Sequence, residues 1–254
     1  MAKLTQKARV IKIEKLQKML TNLSLPALIC ATLFTPCVYA ADAASQKTPT
    51  TAVPSQALKY AINGYCWAVK HHEVNNPTIL TLVDFNRPSY EKRLWVIDLK
   101  NDRILMRMHV AQGKNTGAIY ATRFSNQPGS LESSPGVFTT TGDKYVGEHG
   151  ESLRVNGLEA GINNNAYNRA VVIHAASYVT PNFIKQNGYA GRSWGCFAVN
   201  PAHVDKLISL VKGGSVLFVY AGPEKYDSRV DHRLSSTGEE LYNAILHNRS
   251  SWFS

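Results

Sequence analysis

The sequence predicts a mainly β domain, either a closed barrel or a sandwich, with helices at its periphery. Three observations carry this. Short apolar runs rich in Val, Ile, Leu and Phe recur between residues 79 and 220. Gly- and Pro-rich loops separate those runs. The stretch 78–222, about 145 residues, suffices for one domain around a single core.

The chain opens differently. Lys3, Lys7, Arg9, Lys12, Lys15 and Lys18 precede a largely apolar stretch from Leu23 to Phe34. Pro36 then breaks the helix, and Val38-Tyr39-Ala40 offers small residues where a signal peptidase reads. Ala41-Asp42-Ala43 fits almost as well. Thr21, Asn22, Ser24 and Pro26 interrupt the apolar stretch too often for a membrane span. Residues 1–40 are therefore expected to be a signal peptide, with export to the periplasm or cell envelope. Cys37 follows Pro36, which is wrong for a lipoprotein site, where a small residue is needed.

Removing that segment changes the charge. The full chain carries +10. Past residue 40 there remain 22 Lys+Arg and 17 Asp+Glu, a net +5. Half the basic excess thus belongs to the signal. The remainder is compatible with association with an anionic cell wall. No ladder of basic and aromatic residues points to nucleic acid.

Residues 41–54 read as a polar linker. Leu58, Ile62, Tyr65 and Val69 recur at helical spacing, so a helix is expected over 55–71, the element of an N-terminal segment 55–77 that packs on the domain. Strands are expected at 79–85, 94–99 and 104–110, the last two a hairpin through Lys100-Asn101-Asp102-Arg103. Further strands are expected at 136–140, 152–155, 170–174 and 215–220. Thr180-Pro181 and Asn200-Pro201 each read as a helix cap and first turn. Asn187-Gly188 and Gly213-Gly214 stop those two helices. Residues 222–254 are polar, with a helical signal at 236–246 and no assignable role.

Four cysteines are present, and two, Cys30 and Cys37, fall in the signal. Cys66 and Cys196 remain, and an exported pair invites a disulfide. Cys66 lies in a helical pattern beside Tyr65 and Trp67, where a small buried hydrophobe is the more natural role. A bond between the two would abolish any nucleophile at 196, so the readings exclude each other.

Cys196 has an unusual setting, Gly191-Arg192-Ser193-Trp194-Gly195-Cys196. A nucleophilic thiol needs a base, a turn that exposes the sulfur, and amide N–H groups for the oxyanion. His174, at the end of Val171-Val172-Ile173-His174, stands 22 residues upstream. Alone, such a histidine is more often a satisfied core residue. Paired with a loop cysteine it becomes the natural base, since imidazole titrates near neutrality. Gly195 contributes an oxyanion N–H, and a backbone carbonyl can orient the ring.

These residues resemble the catalytic core of the L,D-transpeptidases, the YkuD-type peptidoglycan cross-linkers. There a histidine precedes a Ser/Thr-x-Gly-Cys motif by a similar distance. Ser133-Ser134-Pro135-Gly136-Val137-Phe138 resembles the family's Pro-Thr-Gly-x-Phe strand entry. Lys92-Arg93-Leu94-Trp95-Val96-Ile97-Asp98, Gly113-Lys114-Asn115 and residues 191–196 look like the branch of murein L,D-transpeptidase catalytic domains. The resemblance covers residues 78–221 and implies the YkuD-like β-sandwich or barrel-like fold. Three positions depart from the commoner pattern. Ala175 stands where a Gly usually follows the histidine, Trp194 where a His precedes Gly-Cys, and Ala198 where an Arg stands. Arg192 is a candidate to replace that Arg.

The resemblance implies cofactor-free acyl transfer on peptidoglycan stem peptides. Cys196 attacks the carbonyl of the third residue of a tetrapeptide donor and expels the terminal D-Ala. His174 carries the proton, and the Gly195 and Cys196 amides hold the oxyanion. An amine acceptor or water resolves the thioester. Ser193, Arg192, Trp194 and Tyr178 are the expected substrate-binding residues, with support of the loop as the other role open to Ser193. Two rival readings stay open: an L,D-carboxypeptidase or cysteine amidase using water, and a non-catalytic wall-binding domain. No metal is expected, because His71-His72, His109, His149 and His203 lack ligand spacing.

Overall fold

The computed structural model describes residues 53–222 and 234–247. The expected signal peptide and all but the last residues of the expected linker lie outside the described residues. Helix α1 (Ser55–Lys70) is followed by strands β1 (Ile79–Asp84), β2 (Leu94–Asp98), β3 (Arg103–Met108) and β4 (Val110–Ala111). Then come β5 (Gly136–Thr140), β6 (Tyr145–Gly147), β7 (Gly150–Gly157) and β8 (Val172–Ala175). A 3-10 turn (Ser177–Val179) and helix α2 (Pro181–Asn187) lead to β9 (Phe197–Val199). Helix α3 (Pro201–Val211), β10 (Val216–Tyr220) and helix α4 (Ser236–His247) complete the order.

The strands form one 10-stranded sheet in the order β3-β2-β1-β10-β5-β7-β8-β9-β4, with β6 hydrogen-bonded to β7. Strands β3 and β4 stand at opposite ends of that order, yet only His109 separates them in the chain. One bent strand therefore pairs with β2 through its first half and with β9 through its second. The sheet curls round until its ends meet, which makes a nearly closed barrel and leaves little open edge. The mainly β class with peripheral helices is what the sequence predicted.

The expected single core is instead layered on both faces of the sheet. Inside, Val83, Val96, Phe138, Ile173, Phe197 and Leu217 pack with Leu207 and Ile208 of α3. Outside, Leu82, Trp95, Val137 and Phe218 pack against Leu58 and Ile62 of α1. Alternate residues of each strand serve alternate layers. That is why β1, β2, β5 and β10 are buried at every position, the polar Thr81, Asp84, Asp98, Thr139 and Thr140 included. Each fully buried large side chain contributes roughly 2 kcal/mol. The tail without an assignable role adds to the outer layer, because α4 buries Ile245 and sets Leu241, Tyr242 and Leu246 against the same cluster.

Local signals explain the helix ends. Thr180 Oγ1 accepts from the Phe183 N–H, with Pro181 in the first turn, and Gly188 closes α2 in the left-handed conformation. Asn200 Oδ1 accepts from the Ala202 N–H at the start of α3.

Near the barrel's closing corner, burial raises the Asp84 carboxyl from its ordinary 3.8 to about 6, against the opposing Asn86 N–H, Arg87 and Arg93. The folded chain thus keeps a proton there that the unfolded chain releases. This contribution is complete below about pH 4 and is lost as pH rises through 6. Asp84→Asn retains an acceptor for the Asn86 N–H. It is expected to match the native chain near pH 3.5 and to exceed it at pH 7 by about 3 kcal/mol. Urea unfolding at the two pH values checks this, and equal stability at both contradicts it.

Candidate active site

The site is built on two parallel strands. β8 and β9 pair with Ile173 opposite Phe197, His174 opposite Ala198 and Ala175 opposite Val199. One step before that register, Cys196 lies at the level of Val172, whose backbone N–H reaches the sulfur. His174 is two residues farther along β8, about 7 Å along the strand. The sequence reading placed Cys196 between a loop and a helix start. A strand, β9, intervenes; three residues are too few to show a period of two.

His174 is 3% exposed. Its Nδ1 lies 2.9 Å from the Ala175 carbonyl oxygen, which only accepts, so Nδ1 carries the hydrogen and Nε2 keeps its lone pair. The ring stacks on that of His149, from the turn between β6 and β7, at 4.6 Å between centroids and 28° between planes. Burial lowers the His174 pKa below its ordinary 6.5, and His149 adds to the effect against the Ala175 carbonyl. His174 is therefore neutral at neutral pH and able to accept a proton.

Cys196 and Cys66 are both free thiols, so no disulfide occupies the site. Burial raises the Cys196 thiol above its ordinary 9.0, opposed by the Val172 N–H and Arg169. It rests as S–H and donates to the Ala170 carbonyl at 3.7 Å. Ala170 itself has φ 54°, a left-handed conformation uncommon for a residue with a side chain. Gly195 has φ 116°, and a Cβ there would stand 2.8 Å from the Glu132 carbonyl oxygen. Both the backbone angle and the close packing require glycine.

The expected substrate-binding residues divide. Ser193 is buried, and its hydroxyl donates to the Cys196 carbonyl at 2.7 Å and accepts from the Gly195 N–H at 3.2 Å. It thus closes the loop from within instead of facing a ligand. The same bond occupies the Gly195 N–H, so an oxyanion at that amide competes with Ser193. Arg192 is exposed and reaches the Lys114 carbonyl at 3.4 Å, away from the sulfur. Trp194 is 77% exposed beside the nucleophile, free to meet a ligand. Tyr178 is half-buried and packs on Gly191, where a Cβ would come within 2.6 Å of it. Burial, with Cys196 as a second cause, raises its hydroxyl to about 12.

Sequence reasoning missed Arg169. Its Nη1 donates to the Ser125 carbonyl and Ser134 Oγ, both at 2.7 Å. Its Nη2 donates to Ser130 Oγ at 3.2 Å and to the Glu132 carbonyl at 2.5 Å. A Cβ on Gly195 would stand 3.3 Å from that Nη2. Arg169 lies in the polar stretch Asn163-Asn164-Asn165-Ala166-Tyr167-Asn168-Arg169, with no period or motif to distinguish it. Its only sequence signal is that it precedes the apolar run of β8.

A neutral imidazole with Nε2 open, a half-buried thiol and fixed backbone donors suit nucleophilic acyl chemistry by general-base activation. Among the described residues, no three His, Cys, Asp or Glu side chains are grouped as a metal requires. Acylation of Cys196 by p-nitrophenyl acetate is expected to keep its rate down to pH 6.5 and to fall only below it, as His174 protonates. His174→Ala should remove that acidic limb and slow acylation on the order of 100-fold. A stopped-flow pH–rate profile checks both, and a limb that survives in His174→Ala contradicts the assignment.

The profile of the L,D-transpeptidase catalytic domain family matches residues 49–220. Among solved structures, an L,D-transpeptidase from Mycobacterium smegmatis is 18% identical, with a TM-score of 0.36, over 57% of this chain and 59% of that one. The Ldtfm–avibactam carbamoyl enzyme is 15% identical, with a TM-score of 0.33, over 55% of this chain and 47% of that one. An L,D-transpeptidase from Xylanimonas cellulosilytica DSM 15894 is 13% identical, with a TM-score of 0.31, over 65% of this chain and 79% of that one. The match therefore spans less than two thirds of the first two of those chains. No curated protein matches the sequence. With the family profile running over more than half of the residues, through β8, the Cys196 loop and β9, the chain belongs to the L,D-transpeptidase catalytic domain family.

Proposed function

We propose that this protein is an exported L,D-transpeptidase that acts on peptidoglycan stem peptides through a thioester on Cys196. The observation that carries the reading is the β8–β9 register, with the sulfur at the level of Val172 and a neutral His174 two residues on. Family membership supports the substrate class. The basic and then apolar N-terminal sequence supports export to the periplasm or cell envelope.

The chemistry follows from the two neutral groups. The thiol turns from the Ala170 carbonyl, and its proton passes to His174 Nε2. The sulfur's electron pair attacks the carbonyl carbon of the third stem residue, and the carbonyl's π electrons move to oxygen. Backbone N–H groups of the Gly195–Cys196 turn receive that charge once Ser193 Oγ yields the Gly195 N–H. Collapse breaks the bond to the terminal D-Ala, whose amine takes the proton from Nε2. A side-chain amine of a second stem then attacks the thioester, and Cys196 regains its proton. Trp194, exposed beside the sulfur, is positioned to border the acceptor.

Incubation of the protein with purified tetrapeptide muropeptides, followed by mass spectrometry, tests the reading. The expected products are free D-Ala and a dimer cross-linked between third residues. Tripeptide alone replaces transfer by hydrolysis, the L,D-carboxypeptidase reading. Unchanged tetrapeptide, with Cys196 no faster than Cys66 toward a carbapenem, leaves a wall-binding domain. Cys196→Ala is expected to abolish the adduct and the products and leave the melting temperature within a few degrees.

A further inference from the structure

We propose that Arg169 is the charge partner of the Cys196 thiolate. On this view the sulfur's negative charge is held by a fixed guanidinium, and His174 serves as proton acceptor and donor only. The inference rests on the proposed role of Cys196 as nucleophile.

Five geometric facts support it. The Arg169 guanidinium is immobilised by four hydrogen bonds, from both terminal nitrogens. All four acceptors are uncharged carbonyl or hydroxyl oxygens, so the positive charge is oriented but not neutralised by them. The nearby Glu132 carboxylate lies 3.8 Å from Arg123 in an ion pair of its own. Nη2 packs against the Gly195 backbone, too close for a side chain at 195 to relax without moving the cation. Lastly, the next residue, Ala170, holds the thiol proton on its carbonyl from a left-handed conformation. Residues 169 and 170 thus frame the sulfur with an acceptor for its neutral form and a cation for its charged form.

The electrostatics agree. Burial drives the Cys196 thiol upward, and Arg169 is the charge that pulls it back. Burial likewise lowers the Arg169 pKa, and Cys196 with Glu132 oppose the shift. The other groups to be counted are Tyr178, which faces Cys196, and His174, stacked on His149. Tyr178 stays protonated across the range of the test, because its hydroxyl is raised to about 12. A half-buried cation held by four hydrogen bonds is present before the reaction, whereas an imidazolium exists only after proton transfer.

The test is alkylation by iodoacetamide from pH 7 to 11, read peptide by peptide by mass spectrometry, with Cys66 in the same chain as the internal reference. In Arg169→Gln the midpoint for Cys196 is expected to rise by about one pH unit, with alkylation at pH 7 about tenfold slower and Cys66 unmoved. Arg169→Lys keeps the charge while losing the fork of hydrogen bonds, and should hold the midpoint within a few tenths of a unit. His174→Gln should likewise hold the midpoint while losing acylation. An unmoved Cys196 midpoint in a folded Arg169→Gln protein overturns the proposal. So does a shift of a full unit in Arg169→Lys, which decides the matter even where the glutamine variant does not fold. Because alkylation needs no stem peptide, these outcomes are separate from transferase activity. A protein that shows the Arg169 shift and makes no D-Ala keeps this inference and loses the proposed function.

Discussion

A single buried cation holds the barrel's seam. Arg93 has no exposed surface, and its guanidinium donates to the Val110 carbonyl from two nitrogens, to the Arg87 carbonyl and to Gln112 Oε1. Its plane lies over the Phe85 ring at 4.8 Å. These contacts join the β1–β2 corner to the start of β4, where the bent strand leaves one end of the sheet for the other. Gln112 extends the link: its carbonyl accepts the Ser193 N–H, and its side chain donates to the Gly117 and Ala118 carbonyls. The nucleophile's loop is thereby tied to a group on the far side of the closure. Burial costs the guanidinium heavily and lowers it to about 9, with Asp84 as the opposing charge. Its hydrogen bonds to carbonyl and amide oxygens from three parts of the chain hold the closure as one unit.

The site repeats this construction with a second arginine. Arg169 gathers the carbonyl and hydroxyl oxygens of 125–134 under Gly195, as Arg93 gathers those around β4. In both places a guanidinium does what a carboxylate pair would not. It orders several backbone carbonyls at once and keeps its charge for a neighbour. The neighbour of Arg169 is a thiol that burial alone would hold neutral. A neutral histidine and a neutral thiol at rest avoid an unpaired charge inside the barrel, and charge develops only when the sulfur attacks.

What the sequence revealed follows the length of each signal. The fold class was legible because β1, β2 and β10 are long enough, and apolar enough, to read as strands without partners. The caps at Thr180 and Asn200 were legible because capping is local. His174 and Cys196 stood out as a pair, and the structure brings their strands together. β4 and β9 were not legible, having two and three residues, and they exist because the barrel closes. Ser193 was read as a loop support or a substrate contact, because a hydroxyl on a loop beside a thiol can serve either. Here the turn folds back and spends the hydroxyl on its own backbone. Arg169 carried no local signal, because its meaning comes from oxygens some 35 to 44 residues away.

The departures from the resembled pattern now have a physical reading. An arginine two residues past the cysteine would fall at 198. Ala198 is fully buried, opposite His174, in a cluster with Ala111, Ala176, Val179 and Ala190. Small side chains there let α2 and its preceding turn lie directly on β9, and a guanidinium has no room. Arg169 lies on the loop before β8, with its guanidinium held by the 125–134 segment. Ala175 tolerates its Cβ because β8 stays extended to its end, and its carbonyl fixes the His174 tautomer. Trp194 points out of the loop, since Ser193 and Gly195 on either side are both buried.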